Sequence, residues 1–162
     1  MDYRFTPMSN EHGPAVTAIL NQHIASGFAA YPSQPLGPEF WTYLRRLAAG
    51  YPAYVVELEG QVVGYGMLRP HLPPDTMART AEVSYFLRPE HTGRGLGSRL
   101  LERLIEGGRR MGVDNLLANV SSLNPGSLRF HQRHGFREVG CFERVGRKWG
   151  RDFDVIWLQR FI

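Results

Sequence analysis

A chain of 162 residues, 43% hydrophobic and 12% aromatic, is long enough to bury the core of one domain, and nothing in it marks a second, so a single domain over 1–162 is expected. The net charge of +4 admits polyanionic partners, but the arginines are scattered, Lys148 is the only lysine, and no nucleic-acid motif occurs, which argues against nucleic-acid binding. No stretch approaches the roughly 18 apolar residues of a membrane span, and MDYRFTPMSNEHG lacks the apolar run of a signal peptide; a cytoplasmic protein without membrane contact is the expectation.

In chain order, Tyr3 to Thr6 reads as a short strand, and Ser9 or Asn10 can cap the helix that follows. Val16, Ile19, Leu20, His23 and Ile24 share one face of that helix, with His23 read as a packed histidine, and Gly27 ends it. Phe28 to Pro38 is rich in Pro and Gly and reads as a loop able to carry substrate contacts. Glu39 to Ala49 is a second helix, with Phe40, Tyr43, Leu44 and Leu47 in register and Gly50 as its stop. From Ala53 the period changes to two. Ala53 to Leu58 and Val62 to Leu68, joined by Glu59-Gly60, predict a hairpin, and His71 to Thr76 is a Pro-rich loop.

The stretch from Glu82 to Ser98, EVSYFLRPEHTGRGLGS, opens as a strand with Val83, Tyr85 and Leu87 on one face. Pro89 stops it, and three glycines, Gly93, Gly95 and Gly97, lead into a helix from Leu96 to Arg110 with Leu100, Leu101, Leu104 and Ile105 in helical register. Glycines let backbone N–H groups approach a ligand, and the first turn of a helix leaves those donors unpaired at the positive end of its dipole, so the pattern suits phosphate. A dinucleotide fingerprint is excluded because Ser98 stands at its third glycine; a P-loop is excluded because no Gly-Lys-Ser/Thr triplet exists. A turn that merely joins strand to helix is the bland alternative.

Asn115 to Val120 is the next strand, parallel to the preceding one because a helix crosses between them. Asn124-Pro125 starts a short helix running to His134 with Leu128, Phe130 and His131 near one face; Gly135-Phe136 begins a strand, and Phe153 to Phe161 is the last. The lone cysteine, Cys141, reads as ordinary strand packing, and His91 and His134 as structural. The six histidines show no metal spacing, so no metal is expected.

The strand running into R-G-x-G and a long amphipathic helix resembles the acetyl-CoA pyrophosphate loop of the GCN5-related N-acetyltransferase (GNAT) superfamily, and NPGSLRFHQRHGF resembles its second signature. The likeness extends over almost the whole chain and is closest to the phosphinothricin N-acetyltransferase-like branch, through YP before Ala53, GxVVGY at Gly60 to Tyr65, TxE ending at Glu82, SxRxH at Ser127 to His131 and K-x-G-x-x-x-D-V at Lys148 to Val155. The resemblance implies an α/β fold with a mixed, mostly antiparallel sheet flanked by helices and a parallel strand pair at the acetyl-CoA site. It also implies acetyl transfer from acetyl-CoA to the primary amine of a small amino-acid-like molecule by direct attack on the thioester, and a homodimer.

By the same resemblance, Glu82 is the base and His131 holds the general-acid position. Phe86, Leu87, Thr92, Gly93, Arg94, Gly95, Leu96, Gly97 and Ser98 meet the coenzyme, with Asn124 and Ser127 beside its pantetheine arm. An alkyl ammonium near pKa 10.4 must lose a proton before it attacks, which gives a carboxylate such as Glu82 its work; the alternative for Glu82 is a strand carboxylate paired with an arginine such as Arg79. The alternative for the whole chain is a non-catalytic acyl-CoA-binding module. Two departures stand out. Thr92 replaces the usual Gln or Arg, and Leu72 to Met77 lacks the basic, Tyr-containing stretch that helps the branch hold its acidic substrate, so phosphinothricin is expected to be a poor acceptor.

Overall fold

The computed structural model describes residues 2–162. Its elements are β1 (Tyr3–Pro7), α1 (Gly13–Ser26), α2 (Glu39–Leu47), β2 (Ala53–Leu58), β3 (Gln61–Pro70), β4 (Thr80–Leu87), α3 (Leu96–Arg110), β5 (Asn115–Ser121), α4 (Pro125–Arg133), β6 (Arg137–Lys148) and β7 (Arg151–Phe161), with short 3-10 turns at 10–12, 75–77 and 89–91. The expected elements are all present, most with ends shifted by one or two residues. Ser9 precedes the first 3-10 turn rather than α1, its N–H donating to His12 Nδ1 at 2.9 Å.

One sheet takes the strands in the order β1-β2-β3-β4-β5-β7-β6. Only β4 and β5 run parallel; the other neighbours are antiparallel. The β2–β3 hairpin turns on Glu59 and Gly60 at φ 50° and 78°, two left-handed residues whose twist matches the flanking strands. One face of the sheet packs against α3, where Leu96, Leu100, Leu101 and Leu104 meet Leu68, Val83 and Leu116. On the other face α1 and α2 bring Val16, Ile19 and Leu44 onto Val55, Tyr65 and Met67. Burying each such side chain contributes about 1.5–3 kcal/mol, so the two layers fix the sheet that carries everything below.

The parallel pair is short, and this shapes the molecule. Pairing between β4 and β5 runs only from Thr80↔Asn115 to Glu82↔Leu117. Beyond Glu82 the two strands part, and Val83 to Leu87 and Ala118 to Ser121 become facing walls of an opening in the sheet. Strand β6 lies at the far edge and pairs only with β7, with bulges between Glu138 and Gly140 and between Phe142 and Gly146. Cys141 sits on this edge strand but is exposed, which corrects the expectation that it is packed.

Candidate active site

The opening between β4 and β5 is the floor of a cleft of about 1170 Å³. Its walls gather Phe86, Leu87, Thr92, Gly93, Gly95, Leu96, Gly97, Ser98, Asn124, Ser127 and His131, residues that lie far apart in the chain. Among the sequence candidates, Arg94 and Glu82 do not form part of the wall. Arg94 turns back along its own loop, donating from Nη2 to the Glu90 carbonyl at 3.3 Å.

At the mouth of the opening, Gly93 and Gly95 adopt φ 72° and 74°, a conformation that costs an L residue roughly 1–2 kcal/mol. A Cβ on either would meet open space, so the backbone there is bare. Gly95 is the N-cap of α3, and no side chain caps this helix end among the described residues. Helical bonding begins with Arg99 N–H donating to the Gly95 carbonyl at 3.1 Å, which leaves the N–H groups of the first turn for a ligand. Ser98, in the first turn, is engaged elsewhere: the His134 ring donates from Nδ1 to the Phe130 carbonyl at 2.8 Å, so in the neutral ring Nε2 accepts from Ser98 Oγ at 2.8 Å. Thr92 spends its hydroxyl proton on the Pro89 carbonyl at 2.8 Å, consistent with a backbone rather than a side-chain anion site at this loop.

On the α4 wall Asn124 is the N-cap, its side-chain oxygen accepting from Ser127 N–H at 3.3 Å. His131, one turn further, is 4% exposed. Burial, the largest cause, pushes its pKa below the usual 6.5; the Ser127 carbonyl opposes this and the neighbouring His134 adds to it. The bond to Ser127 O at 2.8 Å requires a proton on Nδ1, so in the neutral ring Nε2 is an acceptor, and it receives the Tyr85 hydroxyl at 2.5 Å. Tyr85 is itself held protonated, its pKa pushed well up by burial. In this state His131 has no spare proton, and one delivered from this pair to a leaving group has to originate at the Tyr85 hydroxyl.

At the closed end of the opening, on the opposite face of β4, Glu82 is 7% exposed. Its Oε2 accepts from Arg69 Nη2 and its Oε1 from His71 Nδ1, the latter at 2.8 Å. Arg69 is opposite Glu82 in the β3–β4 register, and it reaches the cleft wall. Arg79, the sequence-adjacent partner considered for Glu82, instead makes a two-pronged pair with Asp114 at 2.8 and 2.6 Å. Two other residues find their roles only here. Tyr31, on the loop between α1 and α2, donates its hydroxyl to Asn119 Oδ1 at 2.8 Å and stacks on Phe153, roofing the cleft beside this cluster. Lys148, 1% exposed, donates from Nζ to the carbonyls of Ile24, Gly27 and Ala30 at 2.7, 2.6 and 3.0 Å and so ties that loop down. His23 accepts the packed role expected of it, with Nε2 at 2.7 Å from the Leu87 carbonyl.

A parallel pair that opens into a cleft, with bare helix N–H donors at one end and a buried carboxylate at the other, suits a ligand that carries phosphate at one end and meets a titratable group at the other. The family model for the acetyltransferase (GNAT) family matches residues 16–136, and the chain belongs to that family: it is an acetyltransferase. The L-amino acid N-acyltransferase MnaT of Escherichia coli (strain K12) is 34% identical over 148 residues, covering 90% of this chain and 86% of its own. Phosphinothricin N-acetyltransferase of Alcaligenes faecalis is 36% identical over 155 residues, 91% of this chain and 76% of that one. The structure of YncA from Salmonella typhimurium, with its cofactor acetyl-CoA, matches with a TM-score of 0.88 at 30% identity over 99% of this chain and 94% of that chain.

Proposed function

We propose that this chain transfers the acetyl group of acetyl-CoA to the primary amine of a small amino-acid-like acceptor. The observation that carries the reading is the uncapped N-terminus of α3, led by two left-handed glycines and opening onto the gap between β4 and β5. The backbone from Thr92 to Ser98 would receive the pyrophosphate. The pantetheine arm would lie in the opening along Phe86 and Leu87, on the side of β4 that β5 leaves after Glu82, beside Asn124 and Ser127. The thioester then points toward the end of the opening closed by Glu82.

Acetyl transfer begins with loss of a proton from the acceptor ammonium, toward the cluster headed by Glu82. The amine attacks the thioester carbonyl, backbone N–H groups of the parted strands steady the oxyanion, and the C–S bond breaks. The thiolate takes a proton from the Tyr85–His131 pair. Relatives named for L-amino acids and for phosphinothricin support an amino-acid-like acceptor. Addition of such an acceptor to enzyme and acetyl-CoA should release free thiol and yield the N-acetylated product, with no release above background if the reading is wrong.

The working unit is a homodimer. Support comes from β6, an edge strand that exposes Val139, Phe142 and Val145 and has one side unpaired. Light scattering at micromolar concentration should give twice the chain mass of 18.4 kDa; the single mass would contradict it.

A further inference from the structure

We propose that His71, rather than Glu82 itself, is the catalytic residue that takes the proton from the acceptor ammonium, and that Glu82 is the positioning residue behind it; this rests on the acetyltransferase reading above. Three observations on the cluster converge. Glu82 is 7% exposed, and neither it nor His71 is part of the cleft wall, so exposure and free lone pairs decide between them. Both of its oxygens are engaged, one by the Arg69 guanidinium and one by His71 Nδ1. His71, by contrast, keeps 27% of its side chain open to solvent, against 10% for Glu82.

The backbone explains the arrangement. Strand β3 ends at Pro70, and His71 is the first residue beyond it, two positions after Arg69 and therefore on the same face. Arg69 pairs across to Glu82, so Arg69 and His71 flank the one carboxylate, and the rings of His71 and Trp157 on β7 meet edge to face, 6.1 Å between centroids. Trp157 is opposite Asn119 in the β5–β7 register, and Asn119 lies in the cleft wall with Tyr31 bonded to it. The ring is thus held behind the acceptor end, next to Arg69 and Trp157 and outside the wall itself.

The bond to the carboxylate sets the tautomer. A carboxylate only accepts, so Nδ1 carries the proton of that bond, and in the neutral ring Nε2 keeps a lone pair that no described residue occupies. An acceptor ammonium at that end gives one proton to Nε2, forming an imidazolium whose Nδ1–H still faces Glu82. The freed amine attacks the thioester carbon, the C–S electrons leave with sulfur, sulfur takes a proton from the Tyr85–His131 pair and the second N–H proton replaces it there, so acetyl-CoA and an ammonium become an amide, a free thiol and one proton on His71 that passes to solvent. Arg69 holds the far oxygen of Glu82, which keeps the carboxylate turned toward the ring. Glu82 thereby acts through the imidazole as a carboxylate does in a base dyad.

The test uses the whole enzyme and an acceptor that the parent chain acetylates, so that activity of the parent secures the functional reading independently. His71→Gln keeps a side-chain N–H for Glu82 and removes the base; kcat should fall about a hundredfold or more, with KM for the acceptor and Kd for acetyl-CoA within about threefold of the parent. Unchanged acetyl-CoA binding also shows that the variant is folded, and His71→Asn serves if it is not. Imidazole added to His71→Ala should restore turnover at least about tenfold over that variant alone. A His71→Gln enzyme whose kcat stays within about twofold of the parent, a loss carried wholly by KM, or no restoration by imidazole overturns the proposal.

Discussion

Arg69 and Glu82 form a pair whose charges cancel, and this decides what the acceptor end can hold. Arg69 is the cation that the cleft wall offers at this end, yet one of its nitrogens is committed to Glu82, and its buried Nε has no partner among the described residues. The segment from Leu72 to Met77 adds no basic side chain and includes Asp75. Such a site can meet one carboxylate but leaves a second anionic group poorly compensated, at a cost of several kcal/mol when half-buried. The specificity constant for phosphinothricin should therefore be lower, on the order of a hundredfold, than for an amino acid with a neutral side chain; steady-state kinetics with both acceptors checks this, and equal constants would contradict it. Glu82 was legible in the sequence, but its partners were not. Residues three apart on a strand point to opposite faces, so Arg79 cannot reach Glu82, whereas Arg69, thirteen residues earlier, is brought opposite by the β3–β4 register.

The loop between α1 and α2 has no regular structure of its own and still forms the roof over Asn119. At its far end Asn21 bonds Leu36 both ways, and at its near end β6 fixes it, its terminal Lys148 donating to the carbonyls of Ile24, Gly27 and Ala30 and lying 4.4 Å from the ring of Trp149. Its charge is sheltered from water, which lowers its pKa, and the three carbonyls supply what solvent no longer does. Lys148→Met should leave those carbonyls without their donor and lower stability by about 2–4 kcal/mol in urea unfolding, while raising KM for the acceptor more than that for acetyl-CoA. An unchanged unfolding midpoint would show that the loop is held by something else. The motif K-x-G-x-x-x-D-V marked Lys148 in the sequence, but a lysine's partners more than a hundred residues away leave no local pattern. The same holds for β6 itself: nearly every residue of it is exposed, so it shows no inward and outward alternation, and its place beyond β7 follows only from the pairing.

Across the whole molecule, the two layers of helices hold a sheet that is continuous except where β4 and β5 part, and the proposed chemistry is placed at that parting. The strand, glycine loop and helix from Thr80 to Arg110 were readable because each obeys a local rule: period two, left-handed glycine, period 3.6. The length of the parallel pairing was not readable, since strands that separate after three residues carry the same side chains as strands that stay together. That separation places the donors of α3 at one end of the opening and the Arg69–Glu82–His71 cluster at the other, and acetyl transfer between the two is the central claim. Thiol release from acetyl-CoA, followed together with the mass of the product over a panel of L-amino acids, tests it most directly, with Gly95→Glu as the control that sets a like charge where pyrophosphate is to bind. Acceptor-dependent release with an added acetyl group on the amine, lost in Gly95→Glu, is the result predicted; no acceptor-dependent release from any amino acid, or full activity in Gly95→Glu, would contradict it.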